Sequence, residues 1–327
     1  MFFSIPLALA LLMGGYTGGI AAEKVKLALD WVINARHAPY YVALEKGWWK
    51  EKGLDVDIAR GFGSVDTAKR VVAGTDGFGF ADAGTVVVAR ANGAKLKMLG
   101  VFYSKAPYVT VSWKESGIKT PKDLEGKTIG SPVADSNRIV FPALAKMNGV
   151  DPAKVKWMNM SPEAKTPALL ARKVDAILQY AFEKRLFDDM TRQGKGNFET
   201  WFFADFGLEM YSAGLITSDA ILSGKPQVVR ALTEGVARGY AFAVSHKEEA
   251  VEIFFSKQPL LDKQQMIPEL KILEELLMTP EAVANGVGWM TEEKIKRTRD
   301  VMCGAVKCET IPELNALYTN DFLPRKK

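Results

Sequence analysis

The feature that most limits the fold is a strand–helix alternation that runs, stops and begins again. Residues 25–29 alternate apolar and charged side chains and read as a strand, and 39–46 read as a helix. A second strand follows at 54–59, a helix at 65–73, a third strand at 77–81, a helix at 85–92 and a fourth strand at 95–102. Repeated β-α-β alternation calls for a mostly parallel sheet covered by helices. After an extended segment at 108–113 the pattern restarts. A helical turn opens at Thr120, then come strand 127–130, helix 139–148, strand 155–158, helix 167–171 and strand 174–179. Residues 202–204 and 212–217 look extended again, and from Pro226 the chain is predominantly helical.

Two α/β units of unequal size, with a helical tail that must pack on something, predict a two-lobed α/β fold whose first domain is discontinuous. The expected division is 23–110 with 206–327 in lobe one, and 111–205 in lobe two. The crossovers are expected near 108–113 and near 203–211. The 327 residues suit two such domains better than one core. The ligand cleft is expected between the lobes, because open α/β sheets bind at the carboxyl ends of their strands.

Residues 2–13 are almost wholly apolar and are followed by small residues, with charge beginning at Glu23 and Lys24. The run is short for a membrane span and fits a secretory signal cut near Ala21 or Ala22, although no Lys or Arg precedes it. The expectation is a periplasmic protein, with residues 1–22 as its signal peptide. Two cysteines, Cys303 and Cys308, bracket a four-residue loop. In an oxidising compartment they read as a small disulfide, with two free thiols as the other reading. A metal site needs more ligands, and the two histidines are His37 and His246. The net charge of +5 is spread along the chain and interleaved with acids, with no basic block to track a phosphate backbone. Nucleic-acid binding is therefore not expected.

Enzyme signatures fail on inspection. Glu125-Gly126-Lys127-Thr128 holds the end of a phosphate loop, but Pro121 stands where its first glycine belongs. Gly61-Phe62-Gly63 and Gly77-Phe78-Gly79 begin dinucleotide fingerprints whose third glycine is replaced by Asp66 and Asp82. Zinc-protease, paired-cysteine and serine-elbow motifs are absent from the sequence. No catalytic residue, cofactor or metal is expected.

Polar and aromatic residues at predicted strand ends are the candidate ligand contacts. Trp31, Asn34 and His37 follow the first strand. An aromatic, an amide and an imidazole there can stack on and hydrogen-bond a planar heterocycle, or serve as a packed aromatic, a helix cap and a helix-start packing residue. Phe62 and Ser64 lie in the next turn, where Ser64 can N-cap the helix that follows. Asp82, after the third strand, either caps a helix or faces the cleft. Tyr108 on the expected crossover either lines the cleft or packs in the hinge. In lobe two, Ser131, Asp135 and Asn137 follow the first strand, and Tyr180 and Glu183 follow the strand at 174–179, with loop solvation and a surface glutamate as the plain alternatives. A carboxylate at 183 can accept from a ring nitrogen and an exocyclic amine of an aminopyrimidine.

With these segments in view, the chain resembles the type II periplasmic binding proteins over nearly all of its mature length. The run Ala43-Leu44-Glu45-Lys46-Gly47-Trp48-Trp49 on to Val56, Phe78-Gly79-Phe80 before Asp82, and Thr120-Pro121-Lys122-Asp123-Leu124 on to Gly130 are shared across that superfamily. Asp30-Trp31-x-x-Asn34-x-x-His37-Ala38-Pro39-Tyr40 is similar to the thiamine-pyrimidine branch, with Pro39 where glycine is frequent. Val174-Asp175-Ala176 followed by Tyr180 and Glu183 resembles the segment that supplies the pyrimidine-binding Tyr and Glu, one residue shorter. The cysteine motif of the fungal pyrimidine synthase of this branch is missing, since no Cys precedes Cys303.

The resemblance implies a monomeric solute-binding component that captures a small planar heterocycle, such as a thiamine-precursor aminopyrimidine, and passes it to an inner-membrane ABC permease. One alternative is a sulfonate, nitrate or aromatic carboxylate held by Ser64 and the first-turn amides of its helix. A synthase on the same scaffold is disfavoured by the missing cysteines.

Overall fold

A computed structural model describes residues 22–324. The expected signal peptide at 1–22 therefore lies outside the described residues, apart from Ala22. The first stretch runs through β1 (Glu23–Ala28), α1 (Ala38–Glu45), β2 (Leu54–Ala59), α2 (Ser64–Val72), β3 (Phe78–Asp82), α3 (Ala83–Ala91) and β4 (Leu96–Val101). The second contains β5 (Tyr108–Trp113), β6 (Thr128–Gly130), α4 (Ser136–Met147), β7 (Lys156–Met158), α5 (Lys165–Leu170), β8 (Ala176–Tyr180), α6 (Ala181–Arg192) and β9 (Phe198–Phe202). The third opens with β10 (Ala213–Ser218). It continues as α7 (Asp219–Gly224), α8 (Pro226–Ser245), α9 (Lys247–Lys257), α10 (Lys263–Leu277), α11 (Pro280–Asn285), α12 (Glu292–Ala305) and α13 (Leu314–Leu317).

The strands form two five-stranded sheets, one per lobe, ordered β2-β1-β3-β10-β4 and β7-β6-β8-β5-β9. β1 pairs in parallel with β2 and β3, and β6 in parallel with β7 and β8. Both sheets are mixed rather than mostly parallel, for one reason. Each strand that enters from a crossover runs against its neighbours: β10 between β3 and β4, and β5 between β8 and β9. Such a strand arrives from the other lobe rather than through a helix on its own sheet, so the parallel sense that a crossover helix imposes does not apply.

The sequence boundary at 110/111 needs correction. It falls inside β5, and β5 pairs from Tyr108 to Trp113 within the second sheet. The chain leaves the first sheet after Val101, crosses over 102–107, and crosses back over 203–212. The two crossings lie side by side. The amides of Phe102 and Tyr103 donate to the Ala213 carbonyl, and the Ser212 amide donates to the Tyr103 carbonyl.

The helical tail packs largely on the first lobe. α8 and α9 lie against α1, and Gly239 permits the close crossing, since a Cβ there would sit 2.2 Å from the Pro39 carbonyl oxygen. Tyr40, Phe80, Phe102 and Tyr240 form an aromatic cluster beneath this contact. α12 packs on both α3 and α4, and α10 reaches α6, so the tail also touches the second lobe. Cys303, near the end of α12, is bonded to Cys308. Among the described residues no helix is long and apolar enough to cross a membrane.

Candidate functional site

The carboxyl ends of β1, β2, β6 and β8 turn toward one another across the cleft. The loops after them line a pocket whose empty space, part of it open to solvent, is about 270 Å³. Lobe one contributes Asp30, Trp31, Arg36 and Ser64, and lobe two contributes Asp135, Ser136, Asn137, Lys165, Gln179, Tyr180 and Glu183. The lobes are in contact beside it. The Val65 amide donates to the Ala134 carbonyl across the cleft at 3.4 Å, and Arg60 pairs with Glu163 at 2.8 Å. Gly63, at φ +123°, lies so close to lobe two that a Cβ would stand 2.3 Å from the Ala134 oxygen.

The lobe-one wall is built on a buried ion cluster. Arg36 Nη1 donates to both oxygens of Asp30, at 3.1 and 2.9 Å, and to the Tyr103 hydroxyl at 3.2 Å. Its guanidinium also lies over Tyr180 of lobe two at 5.3 Å. Burial alone would raise the Asp30 carboxyl, but Arg36 and His37 beside it outweigh burial and hold it below the usual range. His37 accepts from the Asn34 amide at Nδ1, so its proton sits on Nε2 and is donated to Asp30 Oδ1 at 3.0 Å. Burial and the neighbouring Arg36 charge push the His37 pKa down to about 4, against the pull of Asp30.

In lobe two, Asp135 caps α4. Its Oδ1 accepts from the Asn137 amide and from Asn137 Nδ2, and its Oδ2 accepts from Lys165 Nζ at 2.9 Å and from Ser131 Oγ at 3.3 Å. Lys165 is 1% exposed, and its ammonium stands 4.9 Å from the centre of the Trp31 ring. Asn137 is also buried, and its Oδ1 has no partner. Ser136 Oγ and the Tyr180 hydroxyl lie 2.6 Å apart. Glu183 sits in the first turn of α6, with Oε2 accepting from the Tyr180 amide at 3.2 Å. Burial raises its carboxyl against the opposing Arg36 and Lys165 charges. From α10, Glu269 is pushed up to about 8 by burial and by the nearby Glu183 charge.

Of the sequence candidates, the structure brings Trp31, Ser64, Asp135, Asn137, Tyr180 and Glu183 to the cavity. Six others do not line it. His37 has both ring nitrogens engaged by the protein, and Asn34 supports it through its amide. Phe62 is 52% exposed and lies under the Arg60 guanidinium. Ser131 is fully buried behind Asp135.

Asp82 and Tyr108 form a hinge node instead. The Asp82 carboxylate accepts from the Tyr108 hydroxyl at the end of one crossing and from Ser212 Oγ at the end of the other. It also caps α3 through the amides of Gly84 and Thr85. Burial raises its pKa to about 6 despite these donors. Ser64 is the first residue of α2 rather than its cap, and its hydroxyl accepts from the Asp82 amide at 3.0 Å.

Asp30, Arg36, Ser136, Lys165 and Gln179 line the cavity without having been singled out as contacts. Each except Lys165 is within one residue of a candidate or of its motif, so the loops were identified but not which side chains point inward. Lys165 had no sequence signal, because a lysine is ordinarily a surface residue.

A profile of the family described as NMT1/THI5 like matches residues 34–250. A riboflavin-binding protein, RibY, of Chloroflexus aurantiacus is 25% identical over 92% of this chain and 86% of its own. A formylaminopyrimidine-binding protein of Halalkalibacterium halodurans is 24% identical over 81% of each chain. A Legionella pneumophila protein named 4-amino-5-hydroxymethyl-2-methylpyrimidine phosphate synthase is 25% identical over 73% of this chain and 75% of its own. Among solved structures, the alkanesulfonate-binding protein SsuA of Xanthomonas axonopodis superposes with a TM-score of 0.70 at 14% identity, covering 94% of this chain and all of the other. The fold is that of the type II periplasmic binding proteins.

Proposed function

Because the chain belongs to the NMT1/THI5-like family, we propose that it captures a single planar nitrogen heterocycle of the aminopyrimidine class between its lobes, as the exported binding component of an ABC importer. The supporting observation is the charge arrangement of the cavity. Asp30 is paired with Arg36, and Asp135 with Lys165. Glu183 is the remaining carboxyl at the wall, and among the described residues it has no salt bridge. With the unpartnered Asn137 Oδ1 it forms an acceptor edge suited to a ring that presents an amino group and a protonated or donor ring nitrogen. Trp31 supplies an apolar face for that ring. An anion finds no unpaired cation here, because Arg36 and Lys165 each hold a carboxylate at close range.

The lobes close over the ligand by hinge motion about the Asp82 node and pass it to a membrane permease. Thermal unfolding with an aminopyrimidine, a sulfonate and nitrate tests the reading. The heterocycle raises the midpoint as its concentration exceeds the dissociation constant, and the anions do not. Glu183→Ala and Trp31→Ala each weaken heterocycle binding by roughly tenfold or more. If both variants bind as the wild type does, the assignment is wrong.

A further inference from the structure

Lys165 is the least expected residue in the cavity. An ammonium carries three N–H donors. One is used by Asp135 Oδ2 at 2.9 Å. The Trp31 ring, 4.9 Å from Nζ, offers a π face to the charge but no lone pair. No other hydrogen bond is made by Nζ among the described residues, yet the side chain is 1% exposed and lines the cavity. A buried ammonium with donors unused costs free energy until an acceptor arrives. On the same wall the Asn137 side-chain carbonyl oxygen lacks a donor in turn, and Glu183 accepts from the Tyr180 amide but has no salt bridge among the described residues. The cavity is therefore two-sided, with an acceptor edge at Glu183 and Asn137 and a donor point at Lys165.

We propose that Lys165 is a specificity residue that binds an oxygen on an arm of the ligand, so that the preferred ligand is an amino-substituted ring bearing a hydroxyl or carbonyl oxygen. The inference rests on the heterocycle reading and goes further, because it separates ligands that share the ring. Lys165 comes from lobe two and Trp31 from lobe one, so the ammonium, the indole and the ligand's arm meet only when the cleft shuts. A ligand with the arm oxygen thus also stabilises closure. Asp135 positions Nζ, and it keeps three other donors, from Ser131 and Asn137, if the ammonium is removed.

The test is calorimetric titration of the whole protein with two probes: an aminopyrimidine carrying a hydroxymethyl arm, and the same ring with a methyl in its place. The wild type binds the hydroxymethyl compound more tightly by on the order of tenfold to a hundredfold, the range for a hydrogen bond to a charged group. Lys165→Met keeps the stem and removes the charge. It binds the two probes equally. Equal binding of both probes by the wild type overturns the role of Lys165, as does a preference that survives in Lys165→Met. Should Lys165→Met not fold, the wild-type comparison still decides, and Lys165→Gln repeats the variant arm. If the wild type binds neither probe, it is the heterocycle reading that fails.

Discussion

His37 is held by the protein at both ring nitrogens, so its neutral form is built into the fold. Its pKa falls from an ordinary value near 6.5 to about 4, chiefly by burial. Between those values the unfolded chain binds the extra proton and the native one does not, so this contribution rises with pH. It is fully present above the unfolded value and is lost as pH falls toward 4. The loss amounts to about 2 kcal/mol near pH 5. Asp82 acts in the opposite sense: its carboxyl is raised to about 6, and its contribution is lost as pH rises through that value. A comparison with His37→Gln separates the two, since glutamine can keep one donor and one acceptor. In urea unfolding, the wild type should lose about 2 kcal/mol more than His37→Gln between neutrality and pH 5. Parallel curves would show that His37 does not titrate on unfolding. This histidine also shows the limit of residue-level reading. Asp30-x-x-x-Asn34-x-x-His37 was visible as a motif, but which of its side chains support and which touch a ligand depends on the buried Arg36, which also meets Tyr103 and Tyr180 from distant segments.

The strands other than β9 and the helices α1 to α5 were legible in the sequence, within about three residues, because each pairs a short apolar run with a turn signal. β9, expected at 202–204, runs over 198–202, and the tail was legible as helical but not in its divisions. α6 was missed. Its helix begins directly after β8, with Tyr180 as the last strand residue, so Glu183 reads as a loop carboxylate when it belongs to a helical first turn. The signal was present in the spacing of Phe182, Leu186, Phe187 and Met190. The first crossing was misplaced because β5 has the alternation of any strand, and alternation does not say which sheet a strand joins; the second, expected near 203–211, runs over 203–212. At α2, the decisive element contact is the entry of Gly63 against Ala134. Gly63→Ala should leave each lobe folded but hold the cleft ajar, since the new Cβ meets a backbone oxygen that cannot rotate away. Ligand affinity should fall at least about tenfold, and solution scattering should show a larger radius with ligand present. Arg60→Ala should change affinity less than about threefold, because its pair with Glu163 is largely solvated. An unchanged radius and affinity in Gly63→Ala would remove this contact from the closing motion.

At the scale of the whole molecule, the two-lobed α/β reading holds, and what the sequence could not supply is the order of strands. β10 lies between β3 and β4, although more than a hundred residues separate it from either. That insertion carries a consequence for folding order. β3 and β4 have no pairing with each other and wait for β10 to join them, whereas β5 to β9 are contiguous in the chain and can pair as soon as they are available. Lower sequence separation favours earlier closure. In refolding of the full chain, pulse-labelled amide exchange should protect β5, β6 and β8 before β3 and β4. The reverse order would show that the first sheet assembles around β1 and β2 without its inserted strand. On this account, the lobe that begins the chain is the last to be finished.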